Sequence, residues 1–249
     1  MIATITASKA SKRLTENISY NDKINTLPLE DSTMKKSILV WDLPTRLFHW
    51  LLVGSMFFMI FSAKQGGAWM AWHLRCGLFI LSLLAFRIFW GFVGSDTARF
   101  ASFFKPSQIP RYLRHEISEN EQAGHNPLGA LMVVAMIVVI GIQIITGLFS
   151  MDVNAYVYNG YLSRFAGNYA ETFRNIHANI VPLLLLMIAL HVLAVLVYLF
   201  VRKNNLIHPM ITGRKKLSEP LPNLRFASNI KALIAFIIFA ILAYALSWI

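Results

Sequence analysis

The chain has 249 residues, 56% hydrophobic and only 14% charged, with a mean hydropathy of +0.55 and a formal net charge of +11. So much apolar material, gathered in long uninterrupted runs, excludes an ordinary soluble domain. The basic residues concentrate in alternate loops, so membrane topology accounts for the charge better than nucleic-acid binding does.

Residues 1–37 are polar and rich in Ser, Thr and Lys, with no apolar core of the length a signal peptide needs. They read as a disordered cytoplasmic extension. Five stretches then have the length and character of membrane spans: about 47–63, 71–93, 128–151, 176–201 and 230–249. The first is short and relies on the segment from Trp41 to Trp50 as an interfacial anchor. The link that follows it, Lys64-Gln65-Gly66-Gly67, is tight and predicts antiparallel neighbours. Between the second and third spans, Pro106 and Pro110 punctuate a loop whose stretch 111–121 reads as a short amphipathic surface piece. The fourth span contains Pro182, a potential kink. The layout is therefore an extension (1–37), a four-helix core (38–216), and a linker with a fifth span (217–249).

Eighteen Lys and Arg fall on one side of these spans and four (Lys64, Arg75, Arg164 and Arg174) on the other, with Arg87 near the basic-side end of the second. The positive-inside rule then puts the N-terminus in the cytoplasm and, after five spans, the C-terminus in the periplasm. Asp152 and Glu171 are the main acidic residues of the far side.

Four histidines fall within the spans. His49 lies near the inner start of the first, His73 opens the second on the outer side, and His177 opens the fourth, also on the outer side. His191 follows His177 by fourteen residues, nearly four helical turns, so both point from one face about 21 Å apart along the axis. Sorted by depth they form two pairs, His73 with His177 and His49 with His191. A single histidine near a helix end is usually an interfacial residue; pairing at two depths across three helices is harder to obtain by accident. Bis-histidine haem ligation needs one imidazole from each of two facing helices. A single zinc site is disfavoured because the four rings do not converge at one level. Proton relays normally include intramembrane carboxylates, and the span interiors have none.

Cys76 is the sole cysteine, which excludes both an internal disulfide and a CxxCH attachment motif, so any haem is held non-covalently. Arg46, Arg75 and Arg174 lie two or three residues from a histidine, where they would neutralise haem propionates or simply snorkel. Gly77 lies one turn after His73, leaving room for a macrocycle. Gly141 and Gly147 read as helix-packing glycines. His115 and His208 read as solvated, and His125 as a capping or surface residue.

The run Trp41-Asp42-Leu43-Pro44-Thr45-Arg46-Leu47-Phe48-His49-Trp50 resembles the bacterial cytochrome b561 family, which is related to the b-type subunit of nickel-iron hydrogenases. Arg87-Ile88-Phe89-Trp90-Gly91-Phe92-Val93-Gly94-Ser95, Gly124-His125-Asn126-Pro127-Leu128-Gly129 and the His177/His191 pair match as well, so that the resemblance covers about residues 38–216. It implies an all-α integral membrane protein: a four-helix transmembrane bundle holding two non-covalent b haems, here with a fifth C-terminal helix. The axial ligands it implies are His49, His73, His177 and His191.

The function so implied is electron transfer across the bacterial inner membrane, between the quinone pool and a periplasmic c-type cytochrome or dehydrogenase subunit. Lipid and quinone are the expected small partners, nucleic acid is not one, and a homodimer stays open. A superoxide oxidase delivering electrons to quinone is an alternative, since Arg75, Arg164 and Arg174 at the outer mouth would attract a small anion. A membrane anchor without redox work is another.

Overall fold

A computed structural model describes residues 35–117, 124–151, 159–218 and 223–249. The expected disordered extension lies outside the described residues except at its end, and so does Asp152.

Five helices are long and apolar enough to cross a membrane. They are α1 (Leu43–Gln65), α2 (Trp69–Val93), α3 (Pro127–Phe149), α4 (Ala170–Phe200) and α5 (Asn229–Ala245). Local chemistry sets their ends. The Asp42 carboxylate accepts from the Thr45 amide at 2.9 Å, and Pro44 fits the first turn, so α1 starts four residues before the hydropathy does. Asn126 does the same for α3, accepting from the Gly129 amide at 2.7 Å ahead of Pro127. Between α1 and α2 the chain reverses through Gly66 and Gly67 at φ 62° and 51°, values that favour glycine. α4 also starts earlier than expected, because the short turns Ser163–Phe165 and Gly167–Tyr169 lead straight into it. Pro182 is accommodated inside the helix.

One element was not expected. β1 (Lys36–Leu39) pairs antiparallel with β2 (Arg214–Leu217), Lys36 opposite Leu217 and Leu39 opposite Arg214. The Val40 and Trp41 amides extend the pairing by donating to the Gly213 carbonyl at 2.7 and 3.1 Å. Residues 36 and 37 therefore belong to a strand rather than to a disordered extension, and Leu217 to its partner rather than to a linker. The sheet clasps the approach to α1 against the chain beyond α4.

The long helices pack as two antiparallel hairpins, α1 with α2 and α3 with α4, with α2 also touching α3. α5 lies on α2 and reaches α1. One buried cluster joins Phe48, Leu83, Phe86 and Trp90 to Ala232 and Ala235 of α5; another joins Ile80 and Leu84 to Ile140 and Leu184. α4 packs chiefly on α3, leaving a gap toward α1 and α2, and all four span histidines face that gap.

Candidate functional site: two facing histidine pairs

His73 and His177 face each other with ring centres 6.4 Å apart and planes 83° apart. His49 and His191 do so at the same 6.4 Å with planes 56° apart. The first pair stands at the far end of the bundle, the second at the basic end near the β-sheet. Two imidazoles on opposite sides of one first-row metal have ring centres roughly 6.4 Å apart, given bonds of about 2.0–2.1 Å and about 1.1–1.2 Å from nitrogen to ring centre. Both separations match that figure. Among the described residues, no three His, Cys, Asp or Glu side chains gather at one point, so each site is a two-ligand arrangement.

The far-end pair lines a cavity of about 1020 Å³ between the two hairpins. Hydrogen bonds fix both of its rings. The fully buried Ser62 hydroxyl lies 3.1 Å from His73 Nδ1 and 2.8 and 3.1 Å from the Phe58 and Met59 carbonyls, and His73 has its own backbone hydrogen bond to Met59. His177 Nδ1 donates to the Gln143 carbonyl at 2.8 Å, with the Thr146 hydroxyl at 3.4 Å beside it. In return the Gln143 side-chain amide donates to the His177 carbonyl at 3.0 Å. The His177 ring is thus protonated on Nδ1 and keeps its Nε2 lone pair for a ligand. Gly147 gives the His177 ring its room: a Cβ there would lie 2.8 Å from Cε1. This corrects its reading as a packing glycine, whereas Gly141 meets only Leu84, at 3.7 Å. Gly77 lines the cavity with open space over its Cα.

The cations sort differently from their sequence positions. Arg174 and Lys64 line the cavity. Arg75 is exposed, its guanidinium 4.9 Å from the Trp72 ring centre. Arg46 donates to the Ile211 carbonyl at 2.5 Å, and its buried Nε has no partner among the described residues. One turn on, Trp50 donates to the Met210 carbonyl at 3.1 Å, so the short helix Ile207–Thr212 is held under the first turn of α1.

His125 is half-buried and is not the cap. Asn126 performs the capping, and the His125 ring packs against Trp41 and Phe103 with centres 4.7 and 4.6 Å away. Burial, and then the Arg87 charge, push its pKa down to about 3, so it is neutral near pH 7. Arg87 is itself only 2% exposed and donates to the Ala98 carbonyl at 3.2 Å.

Sequence reasoning missed Ser62, Gln143 and Thr146. A signal was present: Gln143 and Thr146 are polar residues three apart in the span of otherwise apolar side chains that is α3, where polar groups are costly.

Compared with known proteins, the chain matches no curated protein and no solved structure. Compared with protein families, residues 40–213 match prokaryotic cytochrome b561, a stretch that runs from the entry to α1 to the residue before β2 and takes in all four paired histidines. That family is built for transmembrane electron transfer through b-type haem, and with the match extending over more than half of its length the chain belongs to the prokaryotic cytochrome b561 family.

Proposed function

We propose that the protein carries electrons across the bacterial inner membrane between a quinone and a periplasmic c-type cytochrome or dehydrogenase subunit, using two b haems. His73 and His177 would hold one and His49 and His191 the other. The observation that supports this most directly is the equal 6.4 Å separation of the two pairs across one gap. When bound, each haem supplies a one-electron iron couple.

The chain's own residues do the rest. α4 carries one histidine of each pair, which sets the spacing of the two sites at about 21 Å along its axis. Gln143 holds the His177 ring in the tautomer that ligates, and Ser62 and the Met59 backbone hold the His73 ring in place. Gly77 and Gly147 leave the space a flat macrocycle needs beside those rings. Arg174 and Lys64 stand where cavity-bound carboxylates would be met. The apolar walls of the gap exclude water and keep the local dielectric low. The basic end, with β1, β2 and the N-terminal segment, faces the cytoplasm on the positive-inside rule, and the C-terminus faces the periplasm.

The test is the haem-to-protein ratio and the reduced-minus-oxidised spectrum of purified protein. Two b haems per chain are expected, and one in His191→Ala, with the far-end haem kept. Two haems in that variant would refute the pairing.

A further inference from the structure

The clasp of β1 and β2 has two unlike faces. In its antiparallel register Leu39 lies opposite Arg214 and Ser37 opposite Lys216, so these four side chains share one face, and all four are exposed. The other face takes Ile38 and Leu217, and Leu217 is only 1% exposed, so that face packs inward. The outward face therefore presents two cations beside a leucine. It stands where the apolar surface of the bundle begins. Leu39 is followed at four-residue steps by Leu43 and Leu47, and then by Trp50, all of them exposed. Ile211, 58% exposed, adds to this line from the short helix that Trp50 holds under α1. Among the described residues, the acidic ones at the basic end are Asp42, Asp96 and Glu116, and all three are engaged elsewhere. Asp42 is buried and accepts from the Thr45 amide and the Trp90 indole. Asp96 pairs with Arg99 and accepts from the Arg225 amide, and Glu116 pairs with Arg114 at 3.1 Å. Setting topology requires positive charge in a segment, whatever its direction. Two cations on one exposed face, beside apolar side chains at the edge of a span, fit a narrower purpose: a phosphate with an acyl chain below it.

We propose that the outward face of the clasp binds an anionic phospholipid of the leaflet that the basic end meets. Arg214 and Lys216 meet the headgroup, and Leu39 and Ile211 meet the glycerol and upper acyl chain. A two-stranded ribbon with four residues in each strand is marginal by itself. Lipid held on one face therefore braces it, and with it the approach to α1. A cation near an anionic membrane surface changes binding about fivefold, so the two together are worth about 25-fold.

The experiment is hydrogen exchange, read by mass spectrometry, of the purified full-length holoprotein in nanodiscs of phosphatidylcholine alone and of phosphatidylcholine with phosphatidylglycerol. Both faces of a nanodisc carry the same lipid, so the outcome does not depend on which end is cytoplasmic. Segments 36–41 and 213–217 should exchange more slowly with phosphatidylglycerol, by up to about 25-fold, and the other segments should not change. The double variant Arg214→Gln/Lys216→Gln should lose the difference. The double variant Lys105→Gln/Lys231→Gln, which removes the same charge from exposed positions off the clasp, should keep it. If the first variant fails to fold, the wild type in 1 M salt decides, because a screening length of about 3 Å should abolish the difference. Equal exchange in the two lipids, slowing spread over every segment, or a difference that survives the clasp variant or the salt would overturn the proposal. Equal slowing by inorganic phosphate in phosphatidylcholine alone would overturn it in favour of a free anion. Slowing by a polyglutamate peptide but not by phosphatidylglycerol would overturn it in favour of an acidic protein partner.

Discussion

Gly141 and Gly147 lie on the same helix and differ only in what faces them. A Cβ at Gly141 would rest on Leu84 Cδ2 at 3.7 Å, an ordinary contact. At Gly147 it would stand 2.8 Å from Cε1 and 3.1 Å from Nδ1 of His177. The ring has little freedom to withdraw, because its Nδ1 is bonded to the Gln143 carbonyl and the backbone behind it to the Gln143 side chain. Gly147→Ala should therefore push the His177 ring from its present orientation and lower the haem-to-protein ratio below that of the wild type, while Gly141→Ala should leave the ratio unchanged. Full occupancy in Gly147→Ala would mean that the ring has an alternative seat. The four histidines themselves were legible in the sequence because an ionisable residue inside an apolar run stands out. Gly147 was not, since its role depends on a ring thirty residues away in the chain and on the rotamer that ring adopts. His125 was missed for a similar reason: Trp41 and Phe103, which enclose it, come from separate segments of the chain.

For whole elements, apolar length gave the five spans, and their ends lay elsewhere. A hydropathy window does not see a carboxylate accepting from the first turn at Asp42, nor the turns that lead into α4. The clasp of β1 and β2 was hidden because each strand is four residues long, lacks alternation and pairs across most of the chain. α5 shows what packing adds. Phe236 meets Phe79 and Phe86 with ring centres 6.3 and 6.0 Å away, and Ala232 and Ala235 are 4% and 7% exposed in the cluster that includes Phe48 and Trp90. The Arg225 amide donates to the Asp96 carboxylate at 2.8 Å and anchors the approach to the helix. None of the α5 residues lines the cavity or supplies a paired histidine. Ala235→Leu should therefore overpack the α2–α5 seam, costing roughly 1–3 kcal/mol. The melting temperature in detergent should fall by roughly 2–4 °C for each kcal/mol, with the haem ratio the same as in the wild type. A lost haem would show that α5 supports the histidine-bearing helices rather than simply covering them.

The molecule as a whole is two hairpins with a cavity of about 1020 Å³ in the space between them. Within a bilayer the hydrophobic effect does not close such a gap, because lipid is as apolar as the side chains; dispersion and specific bonds must hold the halves together. The direct seam is narrow: Ile80 and Leu84 of α2 meet Ile140 of α3 and Leu184 of α4. The two histidine pairs cross the same gap, His49 and His73 from one hairpin to His191 and His177 of the other. Any group ligated by both members of a pair therefore ties the hairpins together, and its binding energy becomes part of the stability of the fold. Protein produced with haem synthesis blocked should insert with the same spans but melt earlier. A ligand present at a thousand times its dissociation constant stabilises by about 4 kcal/mol, which for a chain of this size is a drop of roughly 10 °C on removal. Adding haem back should restore the melting temperature in proportion to the occupancy reached, with one haem giving an intermediate value. Equal melting temperatures for the haem-free and haem-loaded protein would mean that the narrow seam alone holds the hairpins together.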